Sequence, residues 1–150
     1  MHIPQYDNDN QAIIDCNNKR VPLCYFNIIK LRAGESFCYQ LDNYETCLVP
    51  TTGSINVQVQ GRTFDHIGQR NHLWQGNPEG AYIPVNCQAT LTCVTDNVEV
   101  LVAGARYTET HEAFVIREND IDPVQYGSDD TKTHRKIKHI LGQNPPGKVG

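Results

Sequence analysis

From Leu23 onward, hydrophobic and polar positions alternate in short runs separated by turn residues, which is the pattern of an all-β sandwich or barrel. Leu23 to Arg32 carries Tyr25, Phe26, Ile28, Ile29 and Leu31 and breaks at Ala33-Gly34-Glu35. Ser36 to Leu41 follows, then Asp42-Asn43-Tyr44 as a polar turn, then Glu45 to Thr52 with Cys47, Leu48 and Val49. The sharpest period of two is Ser54 to Gln60, where Ile55, Val57 and Val59 share one face, as in a half-buried antiparallel strand. Gly53 before it suits a positive φ, and Gly61-Arg62 turns the chain into Thr63 to Asp65 as a hairpin. Gly68 to Trp74, Gly80 to Pro84, Cys87 to Thr95 and Val98 to Arg106 predict four more strands, with Asp96-Asn97 as a hairpin turn between the last two.

After Arg106 the pattern weakens into charged sequence broken by Pro123, Gly127 and Pro145-Pro146. The expected organisation is an N-terminal extension over 1–22, a barrel over 23–106 and an irregular basic tail or inter-domain segment over 107–150. Within that tail Glu118-Asn119-Asp120 suits a short helical turn, whereas the period of Thr131 to Leu141 does not decide between strand and helix. The Pro145-Pro146-Gly147 end reads as an inter-domain joint rather than a native terminus.

With 150 residues, 39% hydrophobic, the chain suits one core and one domain, independent of any disulfide or structural metal. A formal charge of -4 supplies no global positive field, which argues against a nucleic-acid partner. No apolar run approaches the roughly 20 residues of a membrane-spanning helix, and the start has no basic and apolar leader pattern, so a cytoplasmic protein without a membrane partner is expected. Six cysteines lack any Cys-x-x-Cys pair and lie largely in apolar or alternating runs, where reduced thiols act as small hydrophobes.

An ordered set of short elements narrows the class further. Leu31-Arg32-Ala33-Gly34-Glu35-Ser36, Glu45-Thr46-Cys47-Leu48-Val49 with Gly53, Gly61-x-x-Phe64, Ile67-Gly68-x-Arg70, Gly76-x-Pro78 and Tyr82-Ile83-Pro84 occur in sequence. A closing segment, Thr133 to Leu141, follows them. In order and spacing they resemble the N-terminal cupin domain of the 5-deoxy-glucuronate isomerase and 5-keto-4-deoxyuronate isomerase family, nearer the inositol-catabolism branch, over about residues 23 to 141. The resemblance implies an antiparallel cupin-type β-barrel (a double-stranded β-helix or jelly roll). It implies a bicupin that interconverts aldose-type and ketose-type sugar acids with a divalent metal held in its C-terminal barrel by histidines and a glutamate. None of those ligands maps onto a position of this chain, so no cofactor is expected in it.

The residues alone lead to the same expectation. Metal-binding cupins bring two His one residue apart, a Glu and a third His to one ion, yet no histidine lies between Gly34 and Glu45 or in Val85 to Ala89. Glu45 alone keeps the place of the acidic ligand, and one carboxylate does not hold a transition metal. His2, His66, His72, His111, His134 and His139 form no His-x-His or His-x-x-x-His pair.

The substrate-binding candidates are Glu45, Arg70, His72 and Tyr82, on strands expected to line or rim the barrel. Arg70 and His72 would share a strand face and clamp a carboxylate, since a guanidinium offers a planar fork to two oxygens. The plainer alternative is an Arg70–Glu45 pair fixing the barrel's end, with Tyr82 as an amphipathic rim residue. Lys132 to His139 concentrates positive charge that would attract an anionic sugar acid or simply be solvated. The leading expectation is thus a metal-free cupin domain of a sugar-acid isomerase, inactive alone, whose role is packing against a second cupin barrel and homo-oligomerisation. The alternatives are a stand-alone module binding a small sugar acid or a partner protein, and a single-domain metal enzyme completed by Glu45 and tail histidines.

Overall fold

The structure, a computed structural model, describes residues 7–142. It is all-β and antiparallel, and two sheets face each other across the core. One sheet runs in the order β1 (Cys24–Arg32), β8 (Asn97–Arg106), β3 (Tyr44–Thr52), β6 (Gly80–Ile83) and β9 (Phe114–Ile116). The other runs β2 (Ser36–Tyr39), β7 (Ala89–Cys93), β4 (Ile55–Val59) and β5 (Arg62–Ile67). A separate ribbon pairs β10 (Val124–Tyr126) with β11 (Arg135–Ile137). From β1 to β8 the chain passes between sheets at each step except the β4–β5 hairpin, the jelly-roll path of a cupin.

Alternation dictates which side chains meet. Tyr25, Asn27, Ile29 and Leu31 of β1 stand opposite Gly104, Val102, Val100 and Val98 of β8. Thr46, Leu48 and Pro50 of β3 continue the row across Gly104, Val102 and Val100. From the other sheet Ile55, Val57 and Val59 oppose Cys93, Leu91 and Ala89. These two inner faces make the core, and each fully buried aliphatic side chain there contributes about 1.5–3 kcal/mol.

Asn27 is the polar exception, only 1% exposed in the middle of an apolar row. Its carboxamide accepts from Asn8 Nδ2 at 2.9 Å and donates to the Asn10 carbonyl at 2.9 Å, so its burial is compensated. Asn10 in turn accepts from the Lys30 N–H, and Ile14 bridges to Phe26. The segment before Cys24 is thereby stitched along β1 and covers a sheet edge that would otherwise be open to pairing.

Most predicted strands are present with small shifts at their ends, and Gln60 and Gly61 both take positive φ in the β4–β5 turn. Gly68 to Trp74 is not a strand, a correction with a clear cause. Its amides are taken by side chains instead of a ladder: Gly68 N–H donates to Glu79 Oε2 at 2.9 Å and Asn71 N–H to Gln75 Oε1 at 3.2 Å. Arg70 and His72 therefore share no strand face. Asp96-Asn97 is likewise not a hairpin turn, because β7 and β8 belong to different sheets and the loop crosses between them. In the segment expected to be irregular, Phe114–Ile116 pairs with β6 and extends the first sheet, while Glu118–Asp120 forms a single 3-10 turn. Thr131 to Leu141 opens on a turn at Thr131-Lys132 and holds a short strand at Arg135–Ile137, with no helix. The Pro145-Pro146-Gly147 joint lies outside the described residues.

Gly53 and Gly68 show where backbone freedom is required. Both have positive φ, and a Cβ on Gly68 would stand 2.6 Å from the Gly53 carbonyl oxygen and 2.8 Å from Pro50 Cβ. Gly34 also has positive φ but faces open space. Gly68→Ala is expected to cost roughly 2–4 kcal/mol and Gly34→Ala about 1 kcal/mol, measured as urea midpoints at constant m. Equal losses would refute the steric account.

Candidate functional site

The barrel interior comes first, because that is where a cupin metal would sit. The inward positions of β3, β6 and β8 are Tyr44, Thr46, Leu48, Pro50, Ala81, Ile83, Val98, Val100 and Val102, which offer no imidazole, thiol or carboxylate. Glu45 points to the opposite face. Among the described residues no three His, Cys, Asp or Glu side chains come together as a ligand set. The donor chemistry of this interior does not fit a divalent metal. Of the tail histidines, His134 is exposed and pairs with Asp129 at 2.9 Å, His139 is exposed, and His111 stacks on Tyr107 beside Tyr82 without completing a ligand set with Glu45 among the described residues. His2 lies outside the described residues.

The four residues singled out from the sequence separate into three places. Glu45 and Tyr82 meet on the outer face of the five-stranded sheet, where the Tyr82 hydroxyl donates to Glu45 Oε2 at 2.7 Å. Tyr82 is fully buried, stacked on Phe114 with ring centroids 5.0 Å apart and flanked by His111 at 6.3 Å. Burial first, then the bond to the Glu45 carboxylate and its charge, push the phenol well above its ordinary value, which makes it a fixed donor. It is not a rim residue, because β9 and the chain leading into it cover it. His72 is exposed on a turn and accepts the Trp74 N–H at 3.3 Å. The Arg70–Glu45 pair is not formed: Arg70 Nη2 donates to the Pro50 carbonyl at 2.8 Å, while Glu45 is occupied by Tyr82.

Arg70 instead lines a cleft of about 730 Å³ outside the barrel, a volume in the range of small-molecule sites. Leu73, Gly76, Asn77 and Pro78 contribute from the loop before β6, and Glu118, Ile121 and Asp122 from the chain after β9. Lys136 and Lys138 close the cleft from the tail. The structure thus joins Arg70 to the basic run, and leaves Glu45, His72 and Tyr82 elsewhere. Arg70 is only 8% exposed and its Nε has no hydrogen-bond partner. Desolvation pulls its pKa below the ordinary value, though a guanidinium remains charged.

Glu79, missed in the sequence, fixes the walls. It is 2% exposed and accepts from Gly68 N–H, Gln69 Nε2 at 2.8 Å and Arg117 Nη1 at 3.1 Å, with Glu118 N–H at 3.4 Å. Arg117 also donates to the carbonyls of His66 at 2.6 Å and Asp65 at 2.7 Å. The only sequence signal was a lone carboxylate abutting the apolar run Ala81 to Val85.

The comparisons with known proteins agree with this architecture. A model of the KduI/IolB family matches residues 2–149. The chain belongs to the KduI/IolB family. Among relatives of this KduI/IolB chain, the 5-deoxy-glucuronate isomerase of Halalkalibacterium halodurans is 26% identical over 135 residues, 89% of this chain and 48% of that one. The Bacillus subtilis 5-deoxy-glucuronate isomerase is 29% identical over 84 residues, 55% of this chain and 31% of that protein. In three dimensions an IolB-like protein from Salmonella typhimurium superposes with a TM-score of 0.78 at 26% identity, covering 87% of this chain and 49% of that one. A putative glyoxylate-induced protein from Pseudomonas aeruginosa, at TM-score 0.56 and 20% identity, shares the fold. This KduI/IolB chain spans about half the length of the relatives it matches. No helix among the described residues is long and apolar enough to cross a membrane.

Burial by itself raises the Glu79 pKa, but the hydrogen bonds from Gly68, Gln69, Arg117 and Glu118 outweigh it and hold the carboxyl below its ordinary value. A depressed folded-state pKa stabilises above the unfolded pKa, and that contribution is lost as pH falls through the folded value. Glu79→Gln is expected to cost roughly 2–3 kcal/mol at pH 7, moderated because Arg117 is 41% exposed. The gap to wild type should shrink as pH falls out of the ordinary carboxylate range and through the depressed folded-state value. Urea unfolding of both proteins at pH 7 and pH 3 checks this, and a gap that does not change with pH would refute it.

Proposed function

We propose that this chain is the N-terminal, metal-free cupin half of a sugar-acid isomerase resembling the 5-deoxy-glucuronate isomerases of inositol catabolism. Its role in this reading is to pack against the catalytic barrel and support oligomerisation, while the aldose–ketose chemistry and the divalent metal belong to the other half. The observation that carries it is the superposition of 87% of this chain on 49% of the IolB-like protein's length. The interior donor set supports the division of labour, since Val98, Val100, Val102 and Leu48 stand where ligands would have to converge.

The outer face of the five-stranded sheet supplies the packing surface. Ile28, Leu101 and Val49 form one outward row across β1, β8 and β3, and Phe26, Ala103 and Cys47 form the next. These apolar side chains are half-buried apart from exposed Ala103, as a surface completed by a second barrel requires. Burial pushes the Cys47 thiol up to about 12, so it acts there as a hydrophobe rather than a nucleophile. The same reading places the chain in the cytoplasm, where its six unbridged thiols stay reduced.

The test replaces the N-terminal half of the Bacillus subtilis isomerase with this chain and compares the chimera with the 150-residue chain alone. The chimera should fold, hold one divalent metal and isomerise 5-deoxy-glucuronate, whereas the chain alone should fold but neither hold the metal nor turn over. Leu101→Glu, in the middle of the outward row, should separate the two barrels in the chimera while leaving this one folded, at a cost of at least about 2 kcal/mol in association. Turnover with stoichiometric metal from the chain alone, or an inactive chimera whose halves do not pack, would overturn the proposal.

A further inference from the structure

The chain has one tryptophan, and it is the most exposed large apolar side chain among the described residues. Trp74 stands 92% exposed beside Leu73 at 55%. The turn that carries them is tied down by its own hydrogen bonds. Asn71 N–H donates to Gln75 Oε1 at 3.2 Å, Gln75 N–H to the His72 carbonyl at 3.0 Å and Trp74 N–H to His72 Nδ1 at 3.3 Å. Its base is fastened to the end of β3, where Gly53 N–H donates to the Arg70 carbonyl at 2.8 Å and Arg70 Nη2 to the Pro50 carbonyl at 2.8 Å. An apolar tip on a turn held this way meets a partner without the entropy cost of ordering a loop, and tryptophan is prominent among the side chains that anchor interfaces.

The neighbouring cleft has the chemistry that an indole needs. Leu73 and Gly76 line it, whereas Trp74, between them in the chain, does not, so its ring stands at the rim and leaves its own cleft unfilled. Pro78, Ile121 and Pro123 supply apolar walls in a volume of about 730 Å³. Lys136 and Lys138 bring ammonium groups that can lie against a ring face. Asp122 forms no ion pair among the described residues, and its carboxylate can accept from an indole N–H.

Charge then selects the occupant. The two lysines are offset by Glu118 and Asp122, so the lining is of mixed sign. A lining of one sign would repel its own copy, but a mixed one can face itself. A protruding ring beside a hole that suits it, both on one surface, is what a two-fold contact requires, because each chain supplies both parts.

We propose that a second copy of this chain docks here, the Trp74 of each seated in the cleft of the other about a two-fold axis. The contact rests on the oligomerisation part of the role proposed above and gives it a surface, distinct from the outward row of Ile28, Leu101 and Val49.

Because Trp74 is the only tryptophan, its fluorescence reports this contact alone. Sedimentation equilibrium and fluorescence of the 150-residue chain, followed from low micromolar to near-millimolar concentration, test the proposal. A monomer should pass to a dimer and no further, with emission shifting to the blue and acrylamide quenching falling in step. Trp74→Ala should weaken the dimer at least about thirtyfold and leave the melting temperature of the monomer unchanged, since the side chain is solvated there. Asp122→Lys keeps the tryptophan and alters only the hole; it should weaken the dimer at least about fivefold and return the emission to that of the monomer. A chain monomeric throughout, a dimer whose Trp74 stays open to the quencher, a dimer indifferent to Trp74→Ala, or growth beyond the dimer would each overturn the proposal. The metal content and turnover of the chimera read the packing role separately, and Leu101→Glu should leave the Trp74 dimer intact.

Discussion

The outer architecture hangs on one buried carboxylate. Glu79 sits just before β6 and gathers donors from the loop after β5 and from the chain beyond β9. Because it is 2% exposed, each of those donors is effectively obligatory: a buried carboxylate without them would cost several kcal/mol. The same network keeps Gly68 out of a strand, turns the loop so that Arg70 faces away from Glu45, and ties Arg117 to two backbone carbonyls of the β5 end. Remove Glu79, and the loop before β6 and the chain that follows β9 lose their common anchor. With that anchor goes the cleft they build.

How far the sequence reveals this follows from the range of the interactions. Ile55, Val57 and Val59 are legible because a strand with one buried face writes its period into consecutive residues. Phe114–Ile116 is not, because three residues hold no period and the strand exists only through its pairing with Gly80, Ala81 and Tyr82. The misreading of Gly68 to Trp74 has the same root, since the carboxylate that captures the Gly68 amide lies eleven residues on. Asp96-Asn97 carries turn chemistry, but turn chemistry does not say whether the chain returns to the same sheet or crosses to the other, and in a jelly roll it crosses. Of the candidate residues, Glu45 and Tyr82 sit on adjacent strands and meet, whereas Arg70 finds the lysines only because the tail folds back on the loop before β6.

The interior of the first sheet is built for packing. A cupin places a metal where inward side chains of neighbouring strands converge, and here those positions carry Val, Leu, Ile, Ala and Pro with Tyr44 and Thr46, all of them buried. Of the polar groups that enter the core, Asn27 is spent on binding the N-terminal segment to β1 and Thr46 on the Tyr39 hydroxyl. Core volume has been given to close packing of these side chains.

A final constraint links the sheet face to the cleft. A Cβ at Gly80 would stand 2.8 Å from the Leu48 carbonyl oxygen and 3.0 Å from Ile140 Cγ2, so only glycine lets the tail lie this close to the sheet. Ile140 rests there two residues after Lys138, and Lys138 lines the cleft. Two residues of extended chain span at most about 7 Å, so the seat of Ile140 sets where Lys138 stands. Gly80 immediately follows Glu79, and so one dipeptide governs both walls: the carboxylate holds Arg117 and Glu118 on one side, and the missing Cβ admits the lysine-bearing tail on the other. The geometry of the cleft is thereby a property of the barrel itself and not of a loosely attached tail.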